Sequence, residues 1–210
     1  MSGRVNMTVK IGVIGSTKGT DMQAIIDAIA QKRLDAKIVC VISNKEDAYI
    51  LERAKDNGID SIFLDYEGDK RVLFDKAAAH EFDQRGVELV MLIGYMKILS
   101  PWFCTHYENR IMNIHPSLLP LFSGGKDVNI HEEVLKLGLK VTGCTLHFVT
   151  AEVDHGPIIM QLPVPVEDID TPESLKAKVQ AAEQAVILEA IRLYGEGKIK
   201  VEGNKVRLLK

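Results

Sequence analysis

The sequence predicts the α/β class: a mostly parallel sheet with helices on both faces and antiparallel additions in the C-terminal half. Three observations predict it. Five short apolar runs recur with helix-forming segments between them, the pattern of a parallel sheet wrapped by helices. A polar glycine turn, Gly15-Ser16-Thr17-Lys18-Gly19-Thr20, stands between the first run and the first helical segment. After residue 115 the rhythm changes, and two strand-like runs follow one another across the loop Ala151 to Gly156.

The five runs are Lys10 to Ile14, Lys37 to Ser43, Ser61 to Leu64, Glu88 to Ile93 and Arg110 to His115. Between the first two, Met22, Ile25, Ile26 and Ile29 repeat at helical spacing, so a strand, a turn and a helix are expected in that order. Ser100 and Pro101 form an N-cap and first-turn pair and predict a short helix through Trp102 to His106. Leu118 to Asp127 holds prolines and adjacent glycines and reads as a loop. Val128 to Leu137 is amphipathic, and Gly138 can stop it. The two later strands are expected over Gly143 to Thr150 and Pro157 to Val166. Thr171, Pro172 and Glu173 open a long helix through Ala190, with N-cap, first-position proline and early acid in agreement. The tail Lys198 to Leu209, turning at Gly203 and Asn204, reads as a hairpin.

Composition narrows the function classes. The chain has 210 residues, 46% of them hydrophobic and 26% charged, enough to bury about 70% of its unfolded surface. A net charge of -3 is too balanced to hold a polyanion by field alone, which disfavours nucleic acid as the main partner. Cys40, Cys104 and Cys144 are odd in number and far apart, with no metal-ligand spacing, so a reduced compartment is expected and no metal. The start of the chain lacks an apolar signal core. The longest apolar run, Val90 to Met96, is broken by Gly94 and far short of a membrane span, so the chain reads as cytoplasmic, with no membrane partner.

Three places can carry chemistry. The glycine turn aims backbone N–H groups and the positive end of a helix at an anion, which is a phosphate site, or it is an ordinary tight turn. It is neither a Walker loop nor a dinucleotide G-x-G-x-x-G, and the second strand ends in Ser43 and Asn44 rather than in an acid for a ribose. Asn113 and His115, at i and i+2 of a strand, share a face at its carboxyl end. Together they can stabilise an oxyanion on a carbonyl, or they are a capping Asn and a half-buried structural His. Asp154, ahead of Gly156, is the acid that would orient His115, or else a turn residue. Met96, Ile98 and Leu99 are core, or an apolar wall at the end of the fourth strand.

Other residues read more plainly. His131-Glu132-Glu133-Val134-Leu135 lacks the second His of a zinc helix, His147 reads as structural, and no G-x-S-x-G surrounds Ser117.

Taken in order, several motifs resemble the folate-dependent formyltransferase family, in its phosphoribosylglycinamide formyltransferase (glycinamide ribonucleotide transformylase) branch. They are Gln23-Ala24-Ile25-Ile26, Ser43-Asn44-Lys45, Met96-Lys97-Ile98-Leu99-Ser100-Pro101, Asn113-Ile114-His115-Pro116-Ser117-Leu118-Leu119-Pro120, Gly143 to Val149, Asp154 with Gly156 to Ile159, and Val179-Gln180 with Glu183. The resemblance spans residues 9 to 195. It implies a Rossmann-like domain over 1–210, with a nucleotide-binding-like half 9–115, a folate and catalytic half 116–195, and the hairpin 196–210.

The implied reaction moves a formyl group from 10-formyltetrahydrofolate to the amine of 5'-phosphoribosylglycinamide, in purine (IMP) biosynthesis, with folate as co-substrate. Asn113, His115 and Asp154 match the catalytic positions. Gly19, Thr20 and Asp21 match the ribotide phosphate turn, and Gln180 and Glu183 the glycinamide contacts. Arg71, Met96, Lys97, Ile98, Leu99, Asn113, Thr150 and Asp154 match folate contacts.

Three features depart from the family pattern. The turn carries Thr17, Lys18 and Asp21 where Gly, Asn and Asn are usual, Lys97 stands for Arg, and Gly124 to His131 is about three residues longer than in many members. The resemblance leaves a 10-formyltetrahydrofolate hydrolase or a non-catalytic folate- or nucleotide-binding module as alternatives. The hydrolases carry an extra amino-terminal domain, whereas about eight residues precede the first strand here. Transfer to methionyl-tRNA would call for a C-terminal RNA-binding domain and a more basic chain. A monomer or a homodimer is expected.

Overall fold

The computed structural model describes residues 8–66, 70–124 and 129–209. Its first half alternates strand and helix: β1 (Val9–Gly15), α1 (Thr20–Ala30), β2 (Ala36–Ser43), α2 (Tyr49–Asp56), β3 (Ser61–Phe63), α3 (Arg71–Gln84), β4 (Leu89–Ile93), α4 (Pro101–His106) and β5 (Ile111–His115). The second half comprises α5 (Ile130–Lys136), β6 (Val141–Phe148), β7 (Ile158–Pro165), α6 (Pro172–Gly195) and the hairpin β8 (Ile199–Glu202) with β9 (Lys205–Leu208).

Seven strands form one sheet in the order β3-β2-β1-β4-β5-β6-β7. The first five are parallel, and β6 and β7 pair antiparallel. The chain starts at β1, winds outward to β3, then returns past β1 to β4. That reversal of direction opens a crevice between the carboxyl ends of β1 and β4, where open parallel sheets bind ligands.

Alternation along the central strands shows why both faces are covered. Ile11 and Val13 of β1, with Leu89, Met91 and Ile93 of β4, pack in one core with α1, α2 and α6. Ile14, Val90 and Leu92 pack in the other with α3 and α4, around Phe74, Phe82, Phe103 and Tyr107. Strands buried on both faces read as continuous apolar runs, which is how they stand in the sequence.

The expected caps form. The Ser100 Oγ accepts from the Phe103 N–H at 3.3 Å, with Pro101 in the first turn of α4. Thr171 and Ser174 make a reciprocal capping box at the head of α6. α6 runs five residues past the expected Ala190, because Ile191 and Leu193 continue its buried face. β6 ends at Phe148, two residues before the expected Thr150, where the chain leaves the sheet for the loop holding Asp154. The expected helix start Val128 lies outside the described residues, and α5 is described from Ile130. No helix among the described residues is long and apolar enough to cross a membrane.

Candidate active site

The carboxyl ends of β1, β4 and β5 bring Gly15, Ile93 and His115 to one edge of the sheet. Beyond β1 the turn closes on α2: the Ile50 N–H donates to the Thr17 carbonyl at 3.1 Å. Gly19 adopts φ 67, and a Cβ there would stand 2.5 Å from Ile50 Cγ1, so only glycine brings the chain this close before α1 begins. No side chain caps α1, which leaves its first-turn N–H groups available to an anion. Arg53 buttresses the turn from α2, donating through Nε to the Lys18 carbonyl at 3.1 Å and through Nη1 to Gln23 Oε1 at 2.6 Å. Lys18 is exposed.

Two residues matched to the ribotide meet here across the whole chain, the Gln180 side-chain amide donating to Thr20 Oγ1. Asp21 neither caps its helix nor faces solvent. It is buried, hydrogen-bonded to the Gln184 side chain, and close enough to Glu183 to repel it. Burial pushes Asp21 up to about 6. Burial first, then the Asp21 charge, pushes Glu183 up to about 8 against a weaker opposing pull from Lys176.

The second cluster depends on the antiparallel register of β5 and β6, which sets Asn113 opposite His147 and His115 opposite Thr145. His147 Nδ1 lies 2.8 Å from the Phe148 carbonyl, which can only accept, so the ring proton is on Nδ1. The bare Nε2 then accepts from the Asn113 amide nitrogen at 3.2 Å. This bond fixes which way the Asn113 amide points and leaves its second N–H for a ligand. Thr145 Oγ1 donates to the Ser117 carbonyl at 2.7 Å and accepts from the Leu119 N–H at 2.9 Å, pinning the loop that follows His115.

Asp154 lies between the two imidazoles, Oδ2 3.7 Å from His115 Nδ1 and Oδ1 3.8 Å from His147 Nε2. The Gly124 N–H donates to its Oδ2 at 2.9 Å. Asp154 stands in the left-handed region at φ 58. The loop folds back tightly enough that a Cβ on Gly156 would lie 1.8 Å from the Phe148 carbonyl oxygen. His115 Nε2 is buried with no hydrogen-bond partner, the posture of a group aimed at an incoming atom. Burial lowers the His115 pKa below that of an ordinary imidazole. Asp154 and a hydrogen bond with the Phe122 backbone oppose that shift, and His147 adds to it.

The sequence-predicted trio Asn113, His115 and Asp154 therefore converges, with His147 as a fourth member. Alternation on its strand made His147 look structural. Only the cross-strand register reveals it as the partner of Asn113.

The residues matched to folate differ in exposure and contacts. Met96 is 59% exposed, and Lys97 holds its ammonium 5.2 Å from the Tyr66 ring centroid. Arg71 opens α3, and Thr150 Oγ1 donates to the Glu152 carbonyl at 3.1 Å. Leu99 is the exception. Its side chain is buried in the core beside Phe103 and Cys104, so only its backbone is free to meet a ligand. Residues 125–128 of the loop expected to be long, Gly124 to His131, lie outside the described residues. Among the described residues, no group of three or more His, Cys, Asp or Glu side chains is placed to share a metal ion.

Comparison with known proteins adds five findings. The formyl transferase family profile matches residues 9–191. A phosphoribosylglycinamide formyltransferase of Escherichia coli (strain K12) is 39% identical over 93% of this chain and 92% of its own. The trifunctional purine biosynthetic protein adenosine-3 of Gallus gallus is 41% identical over 94% of this chain, which corresponds to 20% of that protein. Among solved structures, glycinamide ribonucleotide transformylase 1 of Symbiobacterium toebii superposes with TM-score 0.90 at 44% identity, covering 99% of this chain and 96% of that one. A formyltetrahydrofolate deformylase of Burkholderia mallei also reaches 0.90, at 26% identity and with 72% of that chain covered.

Two measurements check the electrostatics. In an NMR titration His115 should titrate below an ordinary imidazole, and Asp154→Asn should lower its pKa further, because the carboxylate that favours the cation is gone. An unchanged value in the variant would separate the two residues. For Glu183 the folded pKa stands above the unfolded value of 4.5, so the native state binds the extra proton and stability falls as pH rises from about 4.5 to about 8. Urea unfolding of Glu183→Gln should show a gain over wild type that is larger at the top of this window than at the bottom.

Proposed function

The chain belongs to the formyl transferase family, and on that premise we propose that it transfers a formyl group from 10-formyltetrahydrofolate to the primary amine of 5'-phosphoribosylglycinamide in purine biosynthesis. The observation that carries the catalytic assignment is the unpartnered His115 Nε2 beside the oriented Asn113 amide. An amide N–H and an imidazolium N–H from positions i and i+2 of one strand suit a carbonyl oxygen that gains negative charge. The names of the bacterial relatives and of the purine-synthesis protein support the acceptor. The deformylase shares the fold at lower identity, which disfavours water as the acceptor.

The reaction needs an acceptor held at one end of the crevice and a formyl donor at the other. The turn at Gly19 to Asp21 receives the ribotide phosphate on the first-turn N–H groups of α1. Gln180 and Glu183 hold the middle of the ribotide, and the amine is directed toward His115. The mouth formed by Arg71, Met96, Lys97, Ile98 and Thr150, with the Leu99 backbone, holds the folate.

As the amine nitrogen bonds to the formyl carbon, the carbonyl electron pair moves to oxygen, where His115 and the Asn113 amide N–H hold it. Burial lowers the His115 pKa while Asp154 opposes that shift, and the form that holds the oxyanion is the imidazolium, whose Nε2–H is the donor. Acting through His115, Asp154 helps relay the proton lost by the amine to the folate nitrogen. The carbon–nitrogen bond to the folate then breaks, leaving the formylated amide and tetrahydrofolate. The three cysteines are free and buried, which suits a cytoplasmic enzyme.

Mixing the protein with 10-formyltetrahydrofolate, with and without the ribotide, tests this reading. Turnover only with ribotide is expected. Turnover without it would make the chain a hydrolase, and none in either case a binding module. His115→Ala and Asn113→Ala should each lower kcat by about 100-fold to 1000-fold, as loss of one oxyanion donor does elsewhere, with the far-ultraviolet CD spectrum unchanged. A variant within about threefold of wild type would overturn its assignment.

A further inference from the structure

Residues 94–100, between β4 and α4, form the segment assigned above to the folate, and they are held at both ends. At the start, the Ser16 N–H donates to the Gly94 carbonyl at 3.3 Å and the Met96 N–H donates to Ser16 Oγ at 3.4 Å. At the end, the Ser100 N–H donates to Asp75 Oδ2 at 2.6 Å. The Ser100 hydroxyl oxygen accepts from the Phe103 N–H to cap α4. The second anchor is therefore a side chain of α3, one helical turn beyond Arg71.

Asp75 is fully buried. Its Oδ1 has no hydrogen-bond partner, and neither has the buried hydroxyl of Tyr95, whose ring stacks on Phe74 at 6.1 Å. Burial raises the Asp75 pKa, while Ser100 and Arg71 act in the opposite direction. A buried carboxyl with one oxygen bare is a poor way to stabilise a helix, and a well-packed apolar side chain would do better. What Asp75 supplies is direction, because its bonded oxygen sets where the loop ends and α4 begins.

From this we infer that Asp75 is a positioning residue for the formyl donor: by anchoring Ser100 it sets the height of the backbone from Lys97 to Leu99 against the folate. Because the Leu99 side chain is committed to the core, that backbone is what the loop offers near its end, and its placement rests on Asp75. Phe74, the neighbouring residue on α3, supports the start of the same loop through Tyr95. α3 thus couples the Arg71 position at the mouth to the loop that forms its wall.

The inference rests on the proposed formyl transfer, and kinetics on the intact chain test both separately. Asp75→Ala removes the acceptor and should raise the KM for 10-formyltetrahydrofolate at least about tenfold, in keeping with the cost of misplacing a binding wall, while the ribotide KM stays within about twofold. Asp75→Asn keeps an acceptor oxygen for the Ser100 N–H and should recover most of the folate affinity. If the alanine variant does not fold, Asp75→Glu carries the test. It retains the carboxyl but shifts it by one methylene, and it should raise the folate KM selectively.

An unchanged folate KM in the folded variant would overturn the inference. So would an equal loss for both substrates, or an asparagine variant as impaired as alanine. Wild-type protein without turnover would instead refute the proposed function.

Discussion

The reversal of β6 against β5 is the constraint on which the site depends. Parallel strands deliver Asn113 and His115 to the sheet edge, but on their own they supply neither an orienting partner for the amide nor an acid for the imidazole. Antiparallel pairing supplies both. It sets His147 directly across from Asn113, and the chain leaving β6 folds back so that Asp154 reaches both histidines. A one-residue slip in this register would turn His147 to the opposite face and remove the hydrogen bond that fixes the amide. The tight approach of Gly156 to Phe148 and the left-handed backbone at Asp154 are local costs of holding that return path.

Burial and charge act against each other at both ends of the crevice. At His115, burial disfavours the cation more than Asp154 favours it. The oxyanion of the transition state adds to the pull of Asp154 on the imidazolium, so the charged ring is bound more strongly there than in the ground state. At the ribotide end, Asp21 and Glu183 are carboxyls buried against each other, and the native state holds protons there that the unfolded chain would release. Turning Asp21 into the helix interface also keeps its charge off the first-turn N–H groups where a phosphate would sit.

Local patterns carried most of the fold. The strand runs, the glycine turn and the caps at Ser100 and Thr171 depend on neighbours a few residues apart, and the structure places them within about two residues of expectation at nearly every boundary. The trio was legible because its members are polar residues in ordered motifs. What stayed hidden depends on distant neighbours. His147 alternates with Leu146 and Phe148 like any core residue until β5 is laid beside it. Asp75 reads as one more acid in a helix until the packing of α3 against the β4–α4 loop buries it. Leu99 was grouped with Met96 and Ile98 by sequence proximity, but its side chain turns into the core while Met96 turns outward. Asp21 reads as part of the phosphate turn, and only the packing of α1 against α6 shows that its side chain is buried.

The central claim is that Asp154 acts on the reaction through His115 rather than beside it. A double-mutant cycle tests this most directly, comparing kcat for wild type, His115→Ala, Asp154→Asn and the double variant. If the carboxylate works by favouring the charged imidazole, Asp154→Asn should cost less than about twofold once His115 is gone, because residues that act as a unit are strongly non-additive. Full multiplication of the two single losses would show that Asp154 acts independently of His115, and would contradict the account.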